Sequence, residues 1–288
     1  MNWGNFQGAL NSLNWIIFGY LILQPALKHR MVKKAREASF RHLEQTRKSR
    51  VIALIHRKEV VNFLGFPMMQ FLDIHDSESV LRAIRLTPDD MPIDIILHTP
   101  AGLNLASEQV AHALTRHKAK VTVFVPHYAM SGGTLLAFAA DELVMCPDAI
   151  LGALDPVIGQ FPAAAIISVS ERKTPEQMAD NTFLLVDQAK KAVRQMEMLL
   201  KKLLSKRMDE QRAETLSKTL TAGRWTQDYP ISIEELREFG FAVSTDMPED
   251  VLLLMNLYPQ DARRRPSVDF IAAPYTAPKP LPALPGNS

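Results

Sequence analysis

Cysteine is nearly absent from this chain, and that scarcity closes off several chemistries at once. A single thiol, Cys146, among 288 residues leaves no internal disulfide and no zinc site of the multi-cysteine type. It lies in the apolar run "ELVMCP" and reads as a buried structural thiol rather than a reactive one. Long apolar runs are missing too. The strictly apolar heart of the N-terminal segment, Trp15 to Leu23, covers only nine residues, whereas a spanning helix usually takes about 20. Histidine is absent from the whole second half: all eight lie at or before His127. None follows Ser131.

Hydrophobic content of 47% with 22% charged residues is ordinary for a chain that buries a core. The net charge of +2 is unevenly spread. Residues 28–50 hold nine Lys/Arg against Glu37 and Glu44, a local +7, so the remainder carries 24 minus 29, or −5. This basic segment directly follows the short apolar one. A secretory signal has the opposite order, with its positive charge first. We therefore expect residues 1–27 to be a membrane anchor helix, running from about Leu10 to Leu27 and weakened by Asn11, Asn14 and Gln24, with a helix lying in the interface and a soluble oligomerisation helix as the alternatives. Residues 28–50 are expected to be a basic juxtamembrane helix that meets anionic lipid headgroups. The positive-inside rule then puts everything from residue 28 onward on the cytoplasmic face. Nucleic acid is a poor partner for the segment, because no aromatic residues are interleaved with its charges.

From residue 51 to about 258, strand-like and helix-like runs alternate. "VIALIH" (51–56), "VVNFLG" (60–65), "IDIILH" (93–98), "VTVFVP" (121–126) and "ELVMCP" (142–147) are apolar without in/out alternation. Such strands interleaved with helices indicate a mostly parallel sheet covered on both faces. Helices are predicted after a capping Asp76, over 104–117, and after "SGG". A long one is predicted from Pro175 to about Met208, its start marked by a Thr174/Gln177 capping box. Its apolar positions Leu185, Ala189, Ala192, Met196, Leu199 and Leu203 form one stripe. Residues 259–288 are proline-rich and expected to be a disordered tail.

Two loops at strand ends carry the candidate chemistry, "HTPAG" (98–102) and "HYAMSGG" (127–133). At the carboxyl edge of a parallel sheet, loops of this kind meet to form sites. Ser131 would expose its hydroxyl at a strand-to-helix turn, beside the Gly132 N–H at the positive end of the helix. Gly102 would supply a second N–H, and two such donors make an oxyanion hole, each worth roughly 3 to 4 kcal/mol of barrier. The plainer alternative is that the glycines merely permit close packing. A serine nucleophile needs a base, and the α/β-hydrolase arrangement, which needs its histidine after the serine, is excluded. Lys173 is the first lysine after Ser131. Desolvation beside a positive helix end would lower its pKa toward that of a usable base.

"HTPAG", "VPHYAMSGGTLLAFAADELVM" and "LGALDPVIGQFPAA" together resemble the serine dehydrogenase proteinase family, Clp-like serine peptidases related to signal peptide peptidase A. The likeness spans roughly residues 50–258. It implies a Clp/crotonase-type spiral of ββα units with a mostly parallel sheet, here preceded by the N-terminal membrane helix. It also implies a serine endopeptidase acting on polypeptide through an acyl-enzyme, with Ser131 and Lys173 as a catalytic dyad and Gly102 and Gly132 as oxyanion donors. Lys190 and Lys191 are alternative bases. The histidine of the Clp subunit falls in the segment that here reads "GALDP", where Asp155 is no equivalent. Pro100-Ala101-Gly102 departs from the two glycines usual after that proline. No nicotinamide-binding fingerprint is present, and no cofactor or metal is implied. The resemblance further implies a homo-oligomer with cyclic symmetry, to which we expect apolar stripes of helix 104–117, of the long helix and of "VLLLMNLY" (251–258) to contribute. Competing readings are a crotonase-like acyl-thioester enzyme that uses the same hole without a covalent serine, and a non-catalytic membrane scaffold.

Overall fold

The computed structural model describes residues 27, 30–56, 61–63, 66–68, 72–226 and 228–258. The anchor expected over residues 1–27 (Leu27 apart) and the proline-rich tail fall outside them. Among the described residues no helix is long and apolar enough to cross a membrane.

Four parallel strands form the central sheet: β1 (Arg50–Ile55), β4 (Ile93–His98), β5 (Val121–Val125) and β7 (Glu142–Met145), in the order β1-β4-β5-β7. Every residue of β4 and β5 is buried. That is why their sequences are mostly apolar on both faces, with Asp94, His98 and Thr122 the polar exceptions. Between β1 and β4 lie a short hairpin, β2 (Val61–Phe63) with β3 (Phe66–Met68), and helix α2 (Ile74–Arg85). Its cap is Asp73 rather than Asp76. Asp76 sits one turn in and completes a reciprocal box, with bonds of 2.9 and 3.1 Å between the two residues. The helix therefore starts a turn earlier than expected, because an acid at the third position reaches back to the cap's N–H. Helix α3 (Asn104–Arg116) joins β4 to β5, and α4 (Gly132–Ala139) joins β5 to β7. All eight residues of α4 are buried.

A second, smaller sheet lies beside the first. It contains β6 (Tyr128–Ala129), β8 (Ile150–Gly152) and β11 (Pro230–Ile231), with β6 and β8 parallel. Beyond it, the two-stranded β9 (Val157–Ile158) and β10 (Phe161–Pro162) lead into α5 (Ala163–Glu171), a helix the pattern did not announce. The long helix predicted from Pro175 is not one piece. The Thr174/Gln177 box caps a single 3-10 turn over Pro175–Gln177, Met178 and Ala179 are extended, and α6 runs only from Asp180 to Leu204. Its stripe divides accordingly. Met196, Leu199, Leu200, Leu203 and Leu204 are buried, α7 (Glu210–Thr221) pairs with this helix, and Phe183, Leu184 and Leu185 stay exposed.

The other face of the sheet is covered by a helix over residues 30–47 (α1) and by α9 (Glu249–Asn256). Leu43 packs with Ile96, Phe124, Val144, Val251, Leu254 and Met255. Two of the apolar stripes expected to drive association are thus consumed inside the subunit. Val251, Leu254 and Met255 lie in this cluster, and Val110, Ala111 and Leu114 of α3 lie in the main core. The basic segment is part of the folded unit. Arg36 donates to the Leu257 carbonyl at 2.9 Å and lies 3.9 Å from the Tyr258 ring centroid. Arg47 pairs with Asp94, a carboxylate in β4 that is 3% exposed and also accepts from Ser49 Oγ at 2.7 Å. A carboxylate buried this deeply is tolerable only while paired. Arg47→Met is therefore expected to lower unfolding stability in urea by about 3 kcal/mol, and Arg47→Met combined with Asp94→Leu to recover most of it. A single variant as stable as the parent would contradict this account.

Candidate active site

The two candidate loops meet because parallel strands end at the same edge. Thr99, just past β4, bonds to the strand carrying Ser131 through two backbone hydrogen bonds, Thr99 N–H to the Tyr128 carbonyl (3.2 Å) and Met130 N–H to the Thr99 carbonyl (3.0 Å). The chain then turns sharply. Ser131 has φ 51° and ψ −118° and is, with Lys48, one of two described non-glycine residues at positive φ. Such a conformation costs on the order of 1–3 kcal/mol and persists only where the surroundings enforce it. Ser131 heads α4 without using its side chain as a cap, so its hydroxyl is left for other chemistry.

Gly102 and Gly132 face each other across this turn. A Cβ on Gly102 would lie 3.2 Å from the Gly132 Cα, and one on Gly132 would lie 1.9 Å from Ser107 Oγ of α3. No side chain fits either position. The Gly102 N–H has a defined direction. Leu72 donates to the Ala101 carbonyl at 3.2 Å and accepts from Leu103 N–H at 2.9 Å, so the intervening Gly102 amide points away from Leu72. The structure thus brings Ser131, Gly102 and Gly132 together. Gly133 serves packing instead: a Cβ there would meet Thr99 Cγ2 at 2.6 Å.

The lysines are placed differently. Lys173 is exposed, in the turn between α5 and the 3-10 turn, and Lys190 and Lys191 are exposed on α6, where Lys191 pairs with Asp187 at 2.6 Å. None of the three lines the cleft at Ser131. That cleft, of about 630 Å³, is walled by Pro100, Ala101, Gly102, Met130, Ile150 and Ala153, and its titratable lining side chains among the described residues are Tyr128, Asp155 and Asp228. Burial pushes the Asp155 carboxyl above its usual range, opposed by the Ala164 N–H that it accepts at 3.3 Å. Asp228 is exposed and held below the usual range, first by the Thr226 hydroxyl. Sequence reasoning set Asp155 aside because it sought a histidine in that segment. Its single trace was a lone acid in the apolar "LGALDPV". Cys146 is half-buried rather than buried, and burial with nearby Asp148 raises its thiol pKa.

Comparison with known proteins adds three findings. The family of ClpP-like SDH-type serine proteinases matches residues 3–281. Two uncharacterized proteins of Methanocaldococcus jannaschii are similar over most of their length. MJ1495 is 47% identical over 272 residues, covering 93% of this chain and 92% of its own. MJ0137 is 46% identical over 277 residues, covering 94% and 97%. Among solved structures, a membrane-bound stomatin-specific protease in complex with a substrate peptide is 19% identical with a TM-score of 0.43, covering 65% of this chain and 76% of that one.

The strain at Ser131 can be measured. Ser131→Gly is expected to be more stable to heat than Ser131→Ala by about 1 kcal/mol, because glycine alone relaxes at positive φ. Equal midpoints would mean that the turn is not strained.

Proposed function

Because this chain belongs to the ClpP-like SDH-type serine proteinases it is a serine peptidase, and from that premise we propose a membrane-anchored endopeptidase with Ser131 as nucleophile and Lys173 as base. The observation that carries the assignment of the nucleophile is the strained Ser131 backbone beside the Gly102–Gly132 approach. In this reading the neutral Lys173 amine takes the hydroxyl proton as Ser131 Oγ attacks a peptide carbonyl. The Gly102 and Gly132 N–H groups hold the resulting oxyanion. The C–N bond then breaks, the lysine returns its proton to the departing amine, and water attacks the acyl-enzyme to release the second product and restore the serine.

Lys173 must come to the cleft for this to happen. The α5 helix starts at the cleft wall, where Ala164 bonds Asp155, and ends beside Lys173, about 13 Å along the helix axis. The proposal therefore includes closure of the α5–α6 hairpin over bound substrate. Its support is that α5 buries only Ala163 and that Phe161, Val169, Phe183 and Leu184 are exposed. The same apolar face is the one we assign to contacts between copies in a cyclic homo-oligomer. A second reading rests on Asp155, which shares the cleft with Ser131 and has the raised pKa of a desolvated carboxyl. There, Asp155 rather than a lysine accepts the proton.

A fluorophosphonate probe separates these readings. It is expected to label the parent protein and not Ser131→Ala. Loss of labelling in Lys173→Ala with an intact fold supports the dyad. Retention there with loss in Asp155→Asn moves the base to the carboxylate, and loss only in Lys190→Ala or Lys191→Ala moves it along α6. An unlabelled parent protein would favour a crotonase-like or non-catalytic role.

Membrane attachment is assigned to residues 1–27, with exposed Lys33, Lys34 and Arg41 of α1 and Lys48 just past it facing anionic headgroups and the peptidase on the cytoplasmic side. Removing residues 1–27 is expected to move the protein from the membrane pellet to the supernatant. Release only at high salt would credit the basic helix. Continued sedimentation at high salt would overturn the anchor.

A further inference from the structure

We propose that Asp76, His56 and Thr99 form a positioning chain that aims the Gly102 N–H at the oxyanion, an inference that rests on the reading of Gly102 as an oxyanion donor. His56 lies just past β1 and is 8% exposed. Its Nε2 is 3.0 Å from Asp76 Oδ2, and its Nδ1 is 3.1 Å from Thr99 Oγ1. Thr99 Oγ1 in turn donates to the Ala101 carbonyl at 2.6 Å. The Asp76 oxygen is itself fixed, since it accepts the N-cap amide of Asp73 at 3.1 Å.

The hydrogen count gives the chain a direction. Thr99 has one hydroxyl hydrogen, and it lies on the short bond to Ala101. The Thr99 oxygen must then accept from His56 Nδ1, and donation from Nε2 to the Asp76 carboxylate as well requires the doubly protonated ring. Asp76 thus orients the ring, the ring holds the hydroxyl oxygen, and the hydroxyl grips the Ala101 carbonyl. That carbonyl and the Gly102 N–H belong to one planar trans peptide and point in opposite directions. Fixing the oxygen therefore aims the amide. The Ala101 oxygen has two lone pairs, and Leu72 N–H occupies the other side at 3.2 Å, so the peptide is clamped twice. Thr99 also anchors the other half of the hole, because its backbone carbonyl holds Met130 N–H beside Ser131.

None of these three side chains touches a reacting atom, and the proposed role is orientation alone. A hydrophobic core would have no use for a buried hydroxyl and imidazole in series with a partly exposed carboxylate. Their last bond ends on one of the two peptides whose tilt matters to the oxyanion.

The test compares two reactions of the full-length protein. Phosphonylation of Ser131 by a fluorophosphonate develops negative charge on an oxygen in the hole. Alkylation of Ser131→Cys by iodoacetamide, followed at that position by peptide mapping, develops none. Thr99→Val is expected to slow the phosphonylation step about 100-fold without weakening initial probe binding. It should leave the alkylation rate of the Ser131→Cys thiol unchanged. Thr99→Ser, which keeps the hydroxyl, is expected to restore phosphonylation, and Asp76→Asn and His56→Gln to slow it in the same direction as Thr99→Val. Parental phosphonylation in Thr99→Val overturns the proposal. So does equal slowing of both reactions, which would make Thr99 a purely structural residue. A parent protein that the probe does not label at Ser131 sinks the peptidase site itself, and this inference with it.

Discussion

The site depends on a pair of backbone hydrogen bonds that tie Thr99 to the segment Tyr128–Met130. They join the end of one core strand to the short strand that delivers Ser131, so two loops far apart in the chain become one edge. With that register set, the strained serine turn follows, because the chain must leave β6 and enter the fully buried α4 within two residues, Met130 and Ser131. The glycines follow as well. At a separation this small between Gly102, Gly132 and Ser107, only hydrogen fits on the two α-carbons.

Around that edge the molecule divides into a rigid part and a looser one. The parallel sheet lies between α3 and α4 on one face and α1 and α9 on the other, and its two central strands are buried throughout. It holds nucleophile and hole in a single geometry, as stabilisation of a developing charge requires. The α5–α6 hairpin is of another kind. It is rich in apolar residues, yet among the α5 residues only Ala163 is buried, and α6 stays exposed over its first turns. An apolar element attached through a few contacts is suited to meeting a substrate chain, a second copy, or each in turn. The base assigned from the sequence sits at its far end.

The charge distribution has a similar double character. Arg36 and Arg47 of the basic segment are spent on the domain, one on the C-terminal end of α9 and one on the buried Asp94. The remaining cations of α1 point outward. One helix thereby closes the second face of the sheet and presents a positive surface. In the proposed membrane-anchored arrangement, that positive surface would face the lipid headgroups.

The sequence by itself determined the four strands of the central sheet, its parallel class, the serine turn and the pairing of "HTPAG" with "MSGG". Each of these rests on local chemistry: continuous apolar runs, glycines at a strand-to-helix turn, and a proline-set loop. It also located Gly102 and Gly132, since few residue types tolerate such close approach. Only the tertiary structure decided what depends on distance across the fold. The break at Met178–Ala179, the capping of α2 by Asp73, the burial of the 251–258 stripe beneath α1 and the place of Asp155 in the cleft are of this kind. So is the series Asp76–His56–Thr99–Ala101, whose members come from three separate segments. Periodicity reports how one segment meets a generic interior. It says nothing of which partner waits there, because hydrogen-bond and charge pairing are settled by the ångströms between atoms that only the folded chain brings together.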